Sequence, residues 1–139
     1  MGRETYVVVI ACDKIELVEG SSECIELVAL NCNDWWKNWS GRIVEVYNCS
    51  SKNPSLPRSN RLLEAIYSVS TAETVVVWNC DTIVLGLMLG FLAKKFGARL
   101  VLVGDYPSTI ARYADLVLST PTSLSQLLSE LKRRSYSSC

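Results

Sequence analysis

The chain has 139 residues, of which 49% are hydrophobic; Lys+Arg and Asp+Glu balance at 14 each, and there is no histidine. Such a length and apolar share fit one compact globular domain over residues 1–139 and exclude a charge-dominated, disordered chain. The even charge leaves no global positive field for nucleic acid, and any general acid or base has to be a carboxylate, Cys, Lys or Tyr.

Met1-Gly2-Arg3-Glu4-Thr5 carries a charge pair and leads straight into an apolar run, unlike a secretory leader, so a cytoplasmic location is expected. The sequons at Asn38 and Asn48 are accordingly read as chance. Tyr6 to Ile10 is the first strand. The period then changes: Ile25, Val28, Cys32, Trp35, Trp36 and Trp39 recur at three and four, predicting a helix capped by Ser21 or Ser22 and stopped at Gly41. The near-repeat of Ile15-Glu16-Leu17-Val18 in Ile25-Glu26-Leu27-Val28 offers a hairpin around Gly20-Ser21-Ser22 as the rival reading. Residues 42–48 form the second strand, and 51–57, with two prolines, a loop. Residues 58–70 follow as a helix with Leu62, Ile66 and Val69 on one face.

Thr74 to Asn79 is an unbroken run of Val and Trp, the pattern of a strand covered on both sides in a parallel sheet. Asp81 is placed to cap the next helix, which runs to Phe96 and stops at Gly97. Arg99 to Val103 is the fourth strand, Gly104-Asp105-Tyr106-Pro107 turns, and residues 108–113 make a short helical piece. Asp115 to Leu118 is the fifth strand; Thr120 or Ser123 opens a last helix to about Arg134, and residues 135–139 form a frayed tail. Strands alternating with helices predict a single α/β domain, a doubly wound Rossmann-like fold with a parallel sheet of five strands. Its order, 3-2-1-4-5 or 2-1-3-4-5, stays open.

Four cysteines recur in similar triplets: Ala11-Cys12-Asp13, Asn31-Cys32-Asn33, Asn48-Cys49-Ser50 and Asn79-Cys80-Asp81. Three of them follow predicted strands, which puts Cys12, Cys49 and Cys80 at the carboxyl edge, where open α/β sheets bind ligands. The candidate ligand set at that edge is Cys12 and Asp13, Asn48 and Ser50, Asn79, Asp81 and Thr82, and Gly104 and Asp105. Carboxylates there can accept from ribose hydroxyls, amides can read a base edge, and a helix amino end suits an anion. The plainer alternative is that Asp81 caps its helix and the Asn residues close turns.

Six cysteines occur without any CxxC pair, so zinc-finger spacing is missing and no metal site is assigned. Cysteines leaving adjacent strands can bridge, so Cys12 could pair with Cys49 or with Cys80. Inert thiols, or a metal held by three thiolates with Asp13, Asp81 or solvent, are the alternatives. Cytosolic disulfides are rare outside hyperthermophiles. A thermophilic source fits the single Gln and two Met, against seven Asn.

The helix of residues 82–96 is apolar nearly all round, with Gly86 and Gly90 four apart, so it is either sandwiched in the core or shared with a second copy; a homodimer through it is expected. The apolar run 83–93 is about half of the roughly 20 residues a bilayer requires, so no membrane segment is read. Trp35, Trp36 and Trp39 with Lys37 and Arg42 form either a core stripe or a partner surface, and Lys132-Arg133-Arg134 suits a helix carboxyl end. GxGxxG, GxxxxGK[ST] and GxSxG are all absent, and no cofactor is implied.

Residues 62–104, with the strand Val75-Val76-Val77-Trp78, the turn Asn79-Cys80-Asp81-Thr82, an apolar helix and Leu100-Val101-Leu102-Val103, resemble the later half of CARF domains. That resemblance implies a cyclic oligoadenylate held at the turn. The same stretch looks like the nucleoside deoxyribosyltransferases, which implies a nucleoside contact at Asp81; the nucleophilic Glu of that group has no counterpart between Asp81 and Phe96. The leading expectation is a domain that binds a nucleotide-like small molecule at its strand ends and senses or regulates as a homodimer. A hydrolase or transferase using Asp13, Asp81 or Asp105 is the enzymatic alternative, and an interaction subunit with a vestigial site is the third.

Overall fold

Among the described residues, six short strands rich in β-branched side chains form one all-parallel sheet: β1 Val7–Ala11, β2 Ile25–Ala29, β3 Arg42–Glu45, β4 Thr74–Trp78, β5 Arg99–Val103 and β6 Leu116–Leu118. The helices are α1 Ser59–Thr71, α2 Val84–Lys95, α3 Ser108–Ala111 and α4 Leu124–Arg133. This computed structural model describes residues 6–16, 24–32, 39, 41–47, 49, 57–80, 83–119 and 123–136. The sheet order is β3-β2-β1-β4-β5-β6. The chain therefore builds outward from β1 to one edge, returns through α1, and builds outward from β4 to the other. That reversal between β1 and β4 is the switch point of a doubly wound, Rossmann-like fold.

The count is six strands rather than five because residues 25–29 are a strand, where the sequence predicts a helix. All five residues are buried, and β2 pairs in parallel with β1, Val7 opposite Ile25. A strand covered on both faces has no two-residue alternation to read, and in the sequence the tryptophans behind it extend a spacing of three and four. The hairpin is not borne out either: both neighbours of β2 are the parallel strands β1 and β3, and buried Ile15 belongs to no strand, while residues 17–18 and 20–22 lie outside the described residues. Trp35 and Trp36 lie outside the described residues. Trp39 is half-buried, packs on the sheet and donates its indole N–H to the Arg42 carbonyl at 3.0 Å, which favours the core stripe at that position.

The pleat sorts the strand residues onto two faces. Val8, Ile10, Val28, Val75 and Val77 pack under α1 and α2 through Ala65, Val69, Leu89 and Ala93. Val7, Val9, Val76 and Val101 pack against α4 through Leu124, Leu127 and Leu131. The Ser123 side chain caps α4, accepting from the Gln126 N–H at 3.2 Å. At the other end of α4, Ser135 and Tyr136 of the tail expected to fray are held by hydrogen bonds, and residues 137–139 lie outside the described residues. The Tyr136 N–H donates to the Leu131 carbonyl at 2.8 Å, and Arg99 donates to the Ser135 carbonyl at 2.7 Å.

α2 ends at Gly97, whose φ of +98° lets the Ala98 N–H turn back to the Ala93 carbonyl at 3.0 Å. Gly86, Leu89, Gly90 and Ala93 form its buried face, while Val84 and Met88 are 68% and 60% exposed. The helix is therefore not enclosed within the monomer, and the two glycines serve the molecule's own sheet. A Cβ at Gly90 would sit 2.6 Å from Val77 Cγ2. Among the described residues no helix is long and apolar enough to cross a membrane.

Candidate functional site at the carboxyl edge

Four adjacent strands end in cysteine at one rim: in the order of the sheet, Cys49 follows β3, Cys32 follows β2, Cys12 follows β1 and Cys80 follows β4. Neighbours along that row are joined. Cys12 and Cys80 form a disulfide with Cα atoms 5.1 Å apart, and Cys32 and Cys49 form a second with Cα atoms 5.4 Å apart. Cys24 is disulfide-bonded too, and no described cysteine is free. The bridge from Cys12 to Cys49 considered above does not form, because β2 lies between their strands and separates them by about two strand spacings, ~10 Å. Cys49 takes Cys32 instead, which the helical reading of residues 25–39 had removed from the edge. Among the described residues no group of three or more His, Cys, Asp or Glu could hold a metal ion.

The Cys12–Cys80 bridge spans the switch point and is buried, its residues 8% and 0% exposed. The first turn of α2 rests directly on it. A Cβ at Gly86 would lie 2.6 Å from Cys80 Sγ and 2.8 Å from Cys12 Sγ, so only glycine lets the helix approach this closely. Beside the bridge, the buried Tyr106 hydroxyl accepts from the Cys80 N–H at 2.9 Å and donates to the Val77 carbonyl at 3.3 Å. It thereby satisfies two backbone groups where β4 leaves the ladder.

Asn79 follows β4 with φ +50°, an αL position that Asn tolerates, and its N–H donates to the Val103 carbonyl at 2.8 Å. Gly104 follows β5 with φ +125°, and a Cβ there would meet Asn79 Oδ1 at 2.6 Å. These two turns thus interlock. Asp13 and Asp105 are exposed on the same rim, and Asp13 accepts from the Lys14 N–H at 2.8 Å. The structure accordingly brings Cys12, Asp13, Asn79, Gly104 and Asp105 to the ends of β1, β4 and β5. Asn48, Ser50, Asp81 and Thr82 lie outside the described residues. α2 has Ile83 at its cap position with no side-chain cap bond, and Asp81, foreseen as the cap, lies outside the described residues.

The base of the switch point is therefore filled by the disulfide, Gly86 and Tyr106, and the polar groups stand above it. Such a rim offers carboxylate acceptors at Asp13 and Asp105 and the half-buried Asn79 side chain, set on strand ends that a covalent bridge holds in register. Sequence reasoning missed Cys32 and Tyr106. The likeness of Asn31-Cys32-Asn33 to Asn79-Cys80-Asp81 was the available signal for the first. Tyr106, between Asp105 and Pro107, reads as an ordinary turn residue.

No family model and no curated protein matches the sequence. Solved structures do match. The chain is similar to a Sir2 enzyme described for mechanism and regulation, with TM-score 0.59 and 17% identity over 81% of this chain and 63% of that one. It is also similar to a Sir2 protein with a deacetylated p53 peptide and 3′-O-acetyl ADP ribose, with TM-score 0.54 and 14% identity over 81% and 62%. A sirtuin described for substrate affinity gives TM-score 0.56 and 14% identity over 81% and 65%. The likeness establishes the Rossmann-like fold. This chain spans less than two thirds of the length of these sirtuin chains.

Proposed function

We propose that residues 1–139 are a single domain that binds a nucleotide-like ligand at the carboxyl ends of β1, β4 and β5, sensing or regulating rather than turning it over. The observation that carries this reading is the reversal of strand order between β1 and β4, with Asp13, Asn79, Gly104 and Asp105 grouped around it. Asp13 and Asp105 would accept from ribose hydroxyls, and the Asn79 amide would meet a base or phosphate edge. A Sir2 neighbour holding an ADP-ribose ester on the same fold supports that ligand class. The resemblance of residues 62–104 to CARF domains adds a short oligoadenylate as one candidate within that class. The exposed Val84 and Met88 of α2 support a homodimer formed through that helix.

Calorimetric titration of the oxidised protein with AMP, ADP-ribose and a cyclic oligoadenylate tests the reading. At least one should bind, and Asp13→Asn and Asp105→Asn should each weaken it about tenfold, ~1.4 kcal/mol. No binding across the panel, or unchanged affinity in both variants, rejects it. Conversion of the nucleotide in the wild type, lost in these variants, replaces sensing with the hydrolase or transferase alternative.

A further inference from the structure

A second cleft lies away from the carboxyl rim, between the β3 edge of the sheet and α1, with a volume of about 560 Å³, in the range of small-molecule sites. Its floor is Glu26 of β2 beside Arg42 of β3, which are register partners on one face of the sheet. Its wall is the outer side of α1, with Leu63 and Tyr67 66% and 70% exposed. Every other residue of β2 is aliphatic, so an acid at position 26 interrupts an otherwise apolar core strand. Glu26 is 8% exposed, and among the described residues its Oε1 has no hydrogen-bond partner. A carboxylate oxygen withdrawn from water without a donor is destabilising. Glu26 at the floor of the cleft is therefore an acid whose need for a donor the described residues leave unmet.

We propose that this cleft binds a small organic cation, a primary ammonium or guanidinium on an apolar stem, with the Glu26 carboxylate as its counter-charge. The unbonded acid decides the class, not net charge: with Glu64 paired outside the lining, Glu26 and Arg42 are the two opposite charges that remain in it. Glu64 already pairs with Arg61 at 3.1 Å, and Arg42 lies 5.8 Å from the centre of the Tyr6 ring. An anion would face the buried acid, whereas an ammonium brings three donors and a guanidinium five, forming charge-assisted bonds to it. Leu63 and Tyr67 both line the cleft, so Leu63 would cover the stem and the Tyr67 ring is the aromatic surface available to the cation. None of the residues involved belongs to the carboxyl-edge set, so this site stands or falls independently of the nucleotide reading.

The test is a ¹H–¹⁵N NMR titration of the full oxidised chain with butylamine and with butylguanidine, using butanol and butyrate as neutral and anionic controls. At least one cation should give saturable shifts at the Glu26, Arg42 and Ser68 amides while those of Asp13, Asn79 and Gly104 stay in place. Glu26→Gln should weaken that binding at least about tenfold. Should that variant not fold, Tyr67→Ala on the exposed side of α1 keeps the test alive and should weaken binding several-fold. Absence of saturable shifts with both cations, equal response to butanol, or undiminished affinity in whichever variant folds overturns the proposal and leaves a water-filled cleft.

Discussion

Replacing Cys12 and Cys80 together with alanine should lower stability far more than any single surface change, and the sequence separation sets the amount. The bridge closes a loop of 68 residues, and chain entropy for a loop of that length corresponds to ~4 kcal/mol at 25 °C. The Cys32–Cys49 bridge closes 17 residues and corresponds to ~3 kcal/mol. Being nested, it shortens the effective outer loop only to about 50 residues, which leaves the larger figure near ~4 kcal/mol. An unfolding entropy of ~2.1 cal/mol/K per residue gives ~0.29 kcal/mol/K for 139 residues, so the two losses amount to ~15 °C and ~10 °C in Tm. The missing sulfurs beneath Gly86 leave a void that adds to the first. Burial sets the order of reduction: Cys32 and Cys49 are exposed while Cys12 and Cys80 are 8% and 0% exposed. Calorimetry of both double variants, with alkylation and mass spectrometry of the native protein during dithiothreitol treatment, reads both outcomes. A loss under about 5 °C for the Cys12/Cys80 variant, or reduction of that pair first, would contradict the stabilising role given to this bridge.

Gly86→Ala should cost ~1–3 kcal/mol, since both sulfurs lie within 3 Å of the new Cβ and their bond keeps them from moving aside. Introduced into the Cys12/Cys80 alanine background, the same change should lose most of its effect, a coupling that a double-mutant cycle measures directly. Tyr106→Phe strips the hydroxyl from the Cys80 N–H and the Val77 carbonyl; a loss of ~1–3 kcal/mol and faster exchange of the Cys80 amide are expected. Exchange and melting unchanged from wild type would remove Tyr106 from the account. Arg133, and then Arg134, hold the Glu130 carboxyl below its ordinary value of 4.5. A carboxyl lowered on folding stabilises above the unfolded value and loses that contribution as pH falls through the folded one. The melting advantage of wild type over Glu130→Gln should accordingly be present at neutral pH and vanish on acidification below 4.5, and a difference that grew in acid would contradict the pairing.

Much of the fold was legible because burial leaves strong traces. β1, β4 and β5 are Val- and Leu-rich runs covered on both sides, and α4 shows Leu124, Leu127 and Leu131 at helical spacing behind a Ser cap. β2 was not legible for the same physical reason, as a fully covered strand followed by Trp35, Trp36 and Trp39 mimics a helical stripe. That one substitution of strand for helix hid Cys32 and with it the Cys32–Cys49 pairing. Pairing also depends on strand order, which local patterns do not encode: Cys12 and Cys80 are 68 residues apart and meet only because β4 returns beside β1. Gly86 and Gly90 were visible as close-approach positions, yet which surface they approach depends on how α2 is rotated on the sheet.

The nucleotide-like ligand proposed for the rim above the Cys12–Cys80 bridge is tested most directly by a ¹H–¹⁵N NMR titration of the oxidised chain with ADP-ribose and a cyclic oligoadenylate. Saturable shifts at the amides of Asp13, Asn79, Gly104 and Asp105 are expected for at least one of them. Silence at those four amides with both nucleotides, or shifts confined to the cleft around Glu26 and Tyr67, would contradict that proposal.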